Sequence, residues 1–469
     1  MFSWFRQGPN TDADPKQHLM GSAENALMQA SHRFQGYMKF GEVLHLQGPW
    51  ISVDMLSRAI CHLQRRHPIL RTRLRMVSDK SDSFFLEEDE TVRLKIRDIA
   101  RKRTDCQTFW RDEWRQRERD TTAVGEGLVE FWLLQDPEDI KNNNSPQEIM
   151  VISEHAVSDG LSLSNLAHEL LIALSDENED LFKNSLDWPI TMETAIQNSL
   201  TMLGRVMALT RFIFSAVYLR STNRLPTARV PLASIEFPLT DLINHSHTEA
   251  SYLILNKEDT QVLLSKCRQQ NVTVTSAVSA AILCVLSTFV KSDANQPTLL
   301  NFSIGADTRR RCTPPIPNHD LRYHVSGLMS FTIPTNDIPT TTENIWQLAR
   351  NFGEHMKSCV DAGQILALGL IMGKLYQKTL GEPNLNELPT CGVSSWGILP
   401  FKEEYGQWKF LGMTPFVNMI RAVMPFTTIQ TVNGVLTVMY VGTDPVISKT
   451  VLEGLRESTM NKLQQMIHD

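Results

Sequence analysis

The residues whose types and spacing could do chemistry lie together in one heptapeptide, Glu154-His155-Ala156-Val157-Ser158-Asp159-Gly160. An imidazole is the one side chain whose unperturbed pKa, roughly 6.5, lets it accept a proton near neutral pH, so His155 is the general-base candidate. Four residues on, Asp159 can fold back to meet a cation or a backbone donor, and Gly160 supplies the backbone freedom of a sharp turn. Other chemistries lack their patterns: the chain has no phosphate loop, dinucleotide fingerprint, EF-hand or HExxH sequence. It also lacks the GxSxG elbow, which speaks against a covalent acyl-enzyme. His245-Ser246-His247 is the one conceivable metal pair and lacks nearby ligand spacing, so no metal is expected.

Two elements must position the heptapeptide. The apolar run Ile149-Met150-Val151-Ile152 reads as a buried strand, and Leu161 to Leu171 as an amphipathic helix, so a strand-to-helix turn presents His155. Because strand side chains alternate faces, Glu154 and His155 cannot both enter one channel. Glu154 is therefore expected to face away and support the turn. Asp159 is expected to brace it, with Arg309 as its cation; a solvated or phosphate-facing role is the other reading of that arginine.

At 469 residues and 53.3 kDa the chain exceeds one hydrophobic core. The net charge of -6, with no basic stripe, gives no electrostatic case for nucleic acid. Seven scattered cysteines without a CxxC pair suit a reducing compartment, and the N-terminus lacks the apolar core of a signal peptide. These features predict a cytoplasmic protein, free or peripheral to a membrane, and a monomer.

Taken in order, residues 1–20 read as a flexible leader, 21–190 as a first half, 191–245 as a connector and 246–469 as a second half. In the first half Ser52 should cap a helix that stops at His67-Pro68. Leu86 to Arg97 reads as one strand, Thr108 to Arg119 as a helix, and Gly127 to Leu134 as a strand. His67 reads as a satisfied turn residue, and Arg101-Lys102-Arg103 as a solvated face. The connector holds Thr201 to Arg220, whose apolar run is interrupted by Arg205 and Arg211 too closely for a membrane span. The balance favours a helix buried between halves over one lying on a membrane surface, since interfacial helices carry a stronger polar face. In the second half Asn433-Gly434 marks a two-residue hairpin. The 19 methionines and 20 phenylalanines are compatible with an apolar channel, although most must fill cores.

The heptapeptide resembles the HHxxxDG signature of condensation domains and the HxxxDG signature of BAHD acyltransferases, matching at His155, Asp159 and Gly160. It departs at Glu154, where condensation domains carry their first histidine, and so leans toward free-standing acyltransferases. Further matches spread over roughly residues 30 to 460. Arg66-His67-Pro68-Ile69-Leu70-Arg71-Thr72 looks like the superfamily's RHPxLRT segment, and Asn271 to Leu283 like its turn into a small-residue helix. Ala306-Asp307-Thr308-Arg309-Arg310-Arg311, with the prolines that follow, is similar to the vDlRxRxxPPxP segment of free-standing alcohol acetyltransferase-like enzymes. Cys391 to Ile398 resembles the SNxG loop and, more distantly, the Trp-Gly end of DFGWG, whose Asp-Phe-Gly part is absent.

The resemblance implies an α/β chain of two chloramphenicol-acetyltransferase-like halves with a central channel at their interface. It implies acyl transfer from a thioester to a hydroxyl or amine of a small, apolar or secondary-metabolite acceptor, with His155 as base. Asp159, Gly160 and Arg309 would be structural at the site, and Ser394, Trp396 and Gly397 would line the channel. No bound cofactor is implied; acyl-CoA or an acyl carrier protein is the cosubstrate. The alternative is the same fold catalysing condensation, cyclisation or another reaction of natural-product biosynthesis.

Overall fold

The run ahead of His155 is apolar on both faces because both faces of its strand are covered. Ile149 and Val151 enter one core, while Met150 and Ile152 enter a second built on Trp110, Trp114 and Trp132. That double cover explains an unbroken apolar run where a half-exposed strand would alternate. The computed structural model describes residues 16–78, 82–176, 179–222, 225–290, 297–380 and 388–469.

The chain begins with β1 (Gln17–Leu19), α1 (Ser22–Arg33), β2 (Phe40–Gly48), α2 (Val53–Arg66), β3 (Thr72–Met76), β4 (Phe84–Glu88) and β5 (Lys95–Ala100). It continues through α3 (Phe109–Arg117), β6 (Val129–Gln135), β7 (Ser145–Ser153) and α4 (Gly160–Leu174). Next come α5 (Met192–Ser199), α6 (Met202–Thr222) and α7 (Leu242–His245). The second half holds β8 (His247–Leu255), α8 (Lys257–Gln269), α9 (Val274–Phe289), β9 (Leu299–Asp307), β10 (Val325–Pro334), α10 (Thr342–Asp361) and α11 (Gln364–Thr379). It ends with β11 (Cys391–Ile398), β12 (Glu404–Tyr405), β13 (Trp408–Val417), β14 (Phe426–Val432), β15 (Val435–Asp444) and α12 (Lys449–His468).

Two six-stranded sheets organise the two halves. The first has the order β12-β13-β2-β7-β6-β5 and the second β10-β9-β11-β14-β15-β8, beside a small sheet β1-β4-β3. Helix α9 can lie close on the second sheet because Ala277, Ala280 and Ala281 face its core. The halves also exchange chain: β13 leaves the second half and pairs antiparallel with β2, Met413 opposite Leu44.

Several expectations need correction. Residues 17–19 of the expected leader are strand β1, paired with β4, whereas 1–15 lie outside the described residues. Leu86 to Arg97 is not one strand, because Asp89 accepts hydrogen bonds from the Thr91 amide and hydroxyl and turns the chain between β4 and β5. Arg101 is not solvated: its side chain is buried against Glu148, with Nη2 2.6 Å from the carboxylate. Cys391 to Ile398 is no loop but the inner strand β11, parallel to both β9 and β14. Helix α6 is not buried between the halves, since Leu203 and Phe214 are 69% and 70% exposed. The hairpin at Asn433-Gly434 is present, with φ of 48° and 81° at its two residues.

Candidate active site

The end of β7 and the start of α4 are held in place by hydrogen bonds that the heptapeptide makes to itself. Asp159 caps α4, its Oδ1 accepting from the Ser162 amide at 3.0 Å, while the Ser162 hydroxyl accepts from the Asp159 amide. The amides of Ser162 and Leu163 are thereby engaged within the first turn. Of the seven motif residues only His155 is more than marginally accessible.

His155 Nδ1 lies 2.9 Å from the Ser158 carbonyl oxygen. A carbonyl can only accept, so Nδ1 carries the proton and Nε2 holds the lone pair of the neutral ring. Nε2 makes no hydrogen bond among the described residues. The ring is walled by Phe40 at 4.4 Å and, edge-on, by Tyr323 at 5.1 Å between centroids. Burial lowers the imidazole pKa, against the Ser158 carbonyl and the Asp159 charge, which raise it. The ring is therefore neutral at pH 7 and ready to accept a proton.

Asp159 points away from that ring, into the seam between halves. Its Oδ2 accepts from Arg309 Nη1 at 2.8 Å and from the His324 amide at 2.9 Å. Burial alone would raise this carboxyl, but the Arg309 charge and the hydrogen bonds from Arg309, Ser162 and His324 hold it below the usual carboxylate range. Arg309, fully buried, also reaches Asp307 at 2.9 Å and the Arg322 carbonyl at 3.0 Å. Arg310 and Arg311 are exposed. The one arginine of three that turns inward thus ties the C-terminal half to the turn carrying His155.

Glu154 takes the opposite side, its Oε1 accepting from the Thr122 hydroxyl at 2.8 Å. Gly160 is required for a reason other than the one its sequence suggests. Its φ is not positive; instead a Cβ there would lie within 2.6 Å of three indole atoms of Trp396. Trp396, on β11, therefore covers the first turn of α4, bringing one expected channel residue to the motif. Ser394 lies on the same strand, opposite Gly305 of β9. Gly397 sits further out, exposed at φ +76, with nothing within 4 Å of the place a Cβ would take. His67 is satisfied by Glu169, 2.7 Å from its Nε2.

Sequence reasoning missed Tyr323, His324 and the pair Glu42–Ser164. Tyr323 and His324 follow the proline-rich turn after Arg311, where no periodicity marks them. Burial first, and then Arg309, push the His324 pKa down to about 3. Glu42, on β2, is fully buried and pushed up to about 8 by burial, against the Ser164 hydroxyl. Ser164 has one hydroxyl proton, and the Gly160 carbonyl lies 2.7 Å away to accept it. A protonated Glu42 then donates to the Ser164 oxygen, closing a neutral network beneath the motif.

Two such sheets meeting at a seam, with the histidine of a strand-to-helix turn beside it, define a class: the structure has the condensation-domain and chloramphenicol-acetyltransferase-like acyltransferase fold. Residues 245–439 match the family model "Phthiocerol/phthiodiolone dimycocerosyl transferase C-terminus". Among solved structures, TRI3 trichothecene 15-O-acetyltransferase from Fusarium sporotrichioides is similar with a TM-score of 0.73 at 13% identity, covering 97% of each chain. Polyketide synthase associated protein 5 from Mycobacterium tuberculosis gives 0.66 at 17% identity, covering 95% of this chain and 98% of its own. The first condensation domain of the calcium-dependent antibiotic synthetase gives 0.66 at 14%, covering 97% and 98%. Comparison with curated protein sequences returns no significant match.

Proposed function

We propose that the protein is an O-acyltransferase of secondary metabolism. It moves an acyl group from a thioester, acyl-CoA or an acyl carrier protein, to the hydroxyl of a small apolar acceptor held in a channel between the halves; an amine is the other acceptor class. The observation that carries this reading is the fixed tautomer of His155, with Nδ1 committed to the Ser158 carbonyl and Nε2 uncommitted. In the reaction the acceptor hydroxyl gives its proton to Nε2 as its oxygen bonds to the thioester carbonyl carbon. The resulting oxyanion collapses, the C–S bond breaks, and the departing thiolate recovers the proton from the imidazolium. The fold neighbour named a 15-O-acetyltransferase supports the hydroxyl over the amine.

Such a base contributes on the order of a hundredfold to ten-thousandfold, and holding both substrates in one channel supplies much of the remaining rate. The test is to incubate the protein with acetyl-CoA, longer acyl-CoAs or an acyl-loaded carrier protein and a panel of alcohols, following free thiol and ester. His155→Ala should melt like the parent and lose roughly a hundredfold to ten-thousandfold in turnover. Equal turnover by the parent and His155→Ala would overturn the mechanism.

A further inference from the structure

Helix α6 is built inside out. The side turned toward the protein carries Gly204, Arg205, Ala208, Leu209, Phe212, Ser215 and Ala216, all only partly covered. The opposite arc carries Leu203, Val206, Met207, Ile213, Phe214 and Val217, which are 43% to 70% exposed. These positions fall at the three- and four-residue spacing of one helical face. A soluble helix with its larger apolar groups in water loses the burial that ordinarily stabilises it, so this face calls for a covering surface.

We infer that α6 is a membrane-surface helix that seats the protein on an anionic lipid bilayer. The charge around it selects that occupant. From Thr194 to Ile235 the sequence holds five arginines and no aspartate or glutamate, within a chain whose net charge is -6. Arg211 is exposed at the margin of the apolar arc, where a guanidinium meets lipid phosphate as the side chains beside it enter the acyl boundary. A second copy fits less well, because an isologous contact would place each copy's Arg211 against the same cationic face. The helix is placed on the surface and not across it: no single helix among the described residues is long and apolar enough to cross a membrane, and α5 with α6, which together reach that length, are bent by 110°.

The placement gives the seat a use. Phe212 anchors α6 to the first core, and α6 packs against α11. From α11 the Tyr376 hydroxyl hydrogen-bonds Tyr323, whose ring walls His155. The lipid-facing helix is therefore one helix removed from the wall of the candidate site, a position suited to apolar substrates that partition into bilayers. This use rests on the acyl-transfer reading; the lipid seat itself does not.

The test is co-sedimentation of the full chain with phosphatidylcholine vesicles, with and without phosphatidylserine, at low and high salt. The parent should bind the phosphatidylserine vesicles, bind phosphatidylcholine less, and release with salt. The double variant Leu203→Glu/Phe214→Glu should lose at least about tenfold in partitioning, because two carboxylates must then enter the apolar layer. Unfolding is no confounder, since neither side chain is buried and the melting temperature is to be matched to the parent. A parent that stays in solution, or a double variant that binds as well as the parent, would overturn the inference. So would a concentration-dependent dimer, dissolved by the same substitutions, without vesicle binding.

Discussion

Removing the Asp159 carboxylate is the sharpest perturbation of the brace between the halves. Asp159→Ala deletes an acceptor used by Arg309 at 2.8 Å, by the His324 amide at 2.9 Å and by the Ser162 amide at 3.0 Å. Breaking a buried ion pair from one side costs about 3 to 5 kcal/mol. Arg309 keeps Asp307 at 2.9 Å and a backbone carbonyl at 3.0 Å, so the lower end, about 3 kcal/mol, applies here. Loss of the helix cap adds about 1 kcal/mol, and because the two share one side chain they do not add in full. At about 1 °C per kcal/mol for a chain of 469 residues the melting temperature should fall by roughly 3 to 4 °C. Asp159→Asn should fall nearly as far, because one amide oxygen cannot serve both donor sets and the NH2 must face the other. The pH dependence has a definite sign. The folded pKa of Asp159 is lowered, so its contribution is fully present above the ordinary carboxylate value, about 3.9, and is lost only as pH falls through the lower folded value. The gap between parent and variant should therefore persist at pH 5, as followed by thermal melts across pH. An Asp159→Ala protein that melts within about 1 °C of the parent would refute the reasoning.

Further outcomes follow from neighbouring groups. Glu154→Ala leaves the Thr122 hydroxyl and amide without their acceptor and should cost about 1 to 3 kcal/mol, yet keep most turnover; a folded but inactive variant would place that carboxylate in the chemistry. Gly160→Ala forces a methyl into the Trp396 indole and should cost about 1 to 3 kcal/mol, with a changed tryptophan fluorescence reporting the displaced ring. Because burial lowers the His155 pKa, the acid limb of kcat/KM should lie below the ordinary imidazole value of roughly 6.5. Glu42 is pushed up to about 8, so the stability it gives as a neutral acid is lost as pH rises from its unfolded value through about 8; Glu42→Gln should gain on the parent in melts above that pH.

The short-range features of this protein were legible in its residues. The strand before His155, the helix after it, the Ser52 cap, the stop at Pro68 and the Asn433-Gly434 hairpin each depend on neighbours a few positions apart, and local sterics and periodicity act over that range. Glu154 and His155 do take opposite sides, as alternation would have them, but β7 ends at Ser153 and both lie in the turn beyond it, so the turn and not the strand sets their directions. The division of one apparent strand between β4 and β5 was decided by a single Asp89–Thr91 turn inside it. What tertiary structure alone decided is which distant groups meet. Arg309 is chemically the same as Arg310 and Arg311, and only the docking of β9 on the seam selects it for Asp159. Gly160 reads as a turn residue, yet its need comes from Trp396, 236 positions away along the chain. The direction of α6 was beyond periodicity too, because an apolar arc has the same spacing whether it meets a core or a bilayer. Burial is a property of what lies opposite a face, and a sequence does not contain that surface until the chain has folded around it.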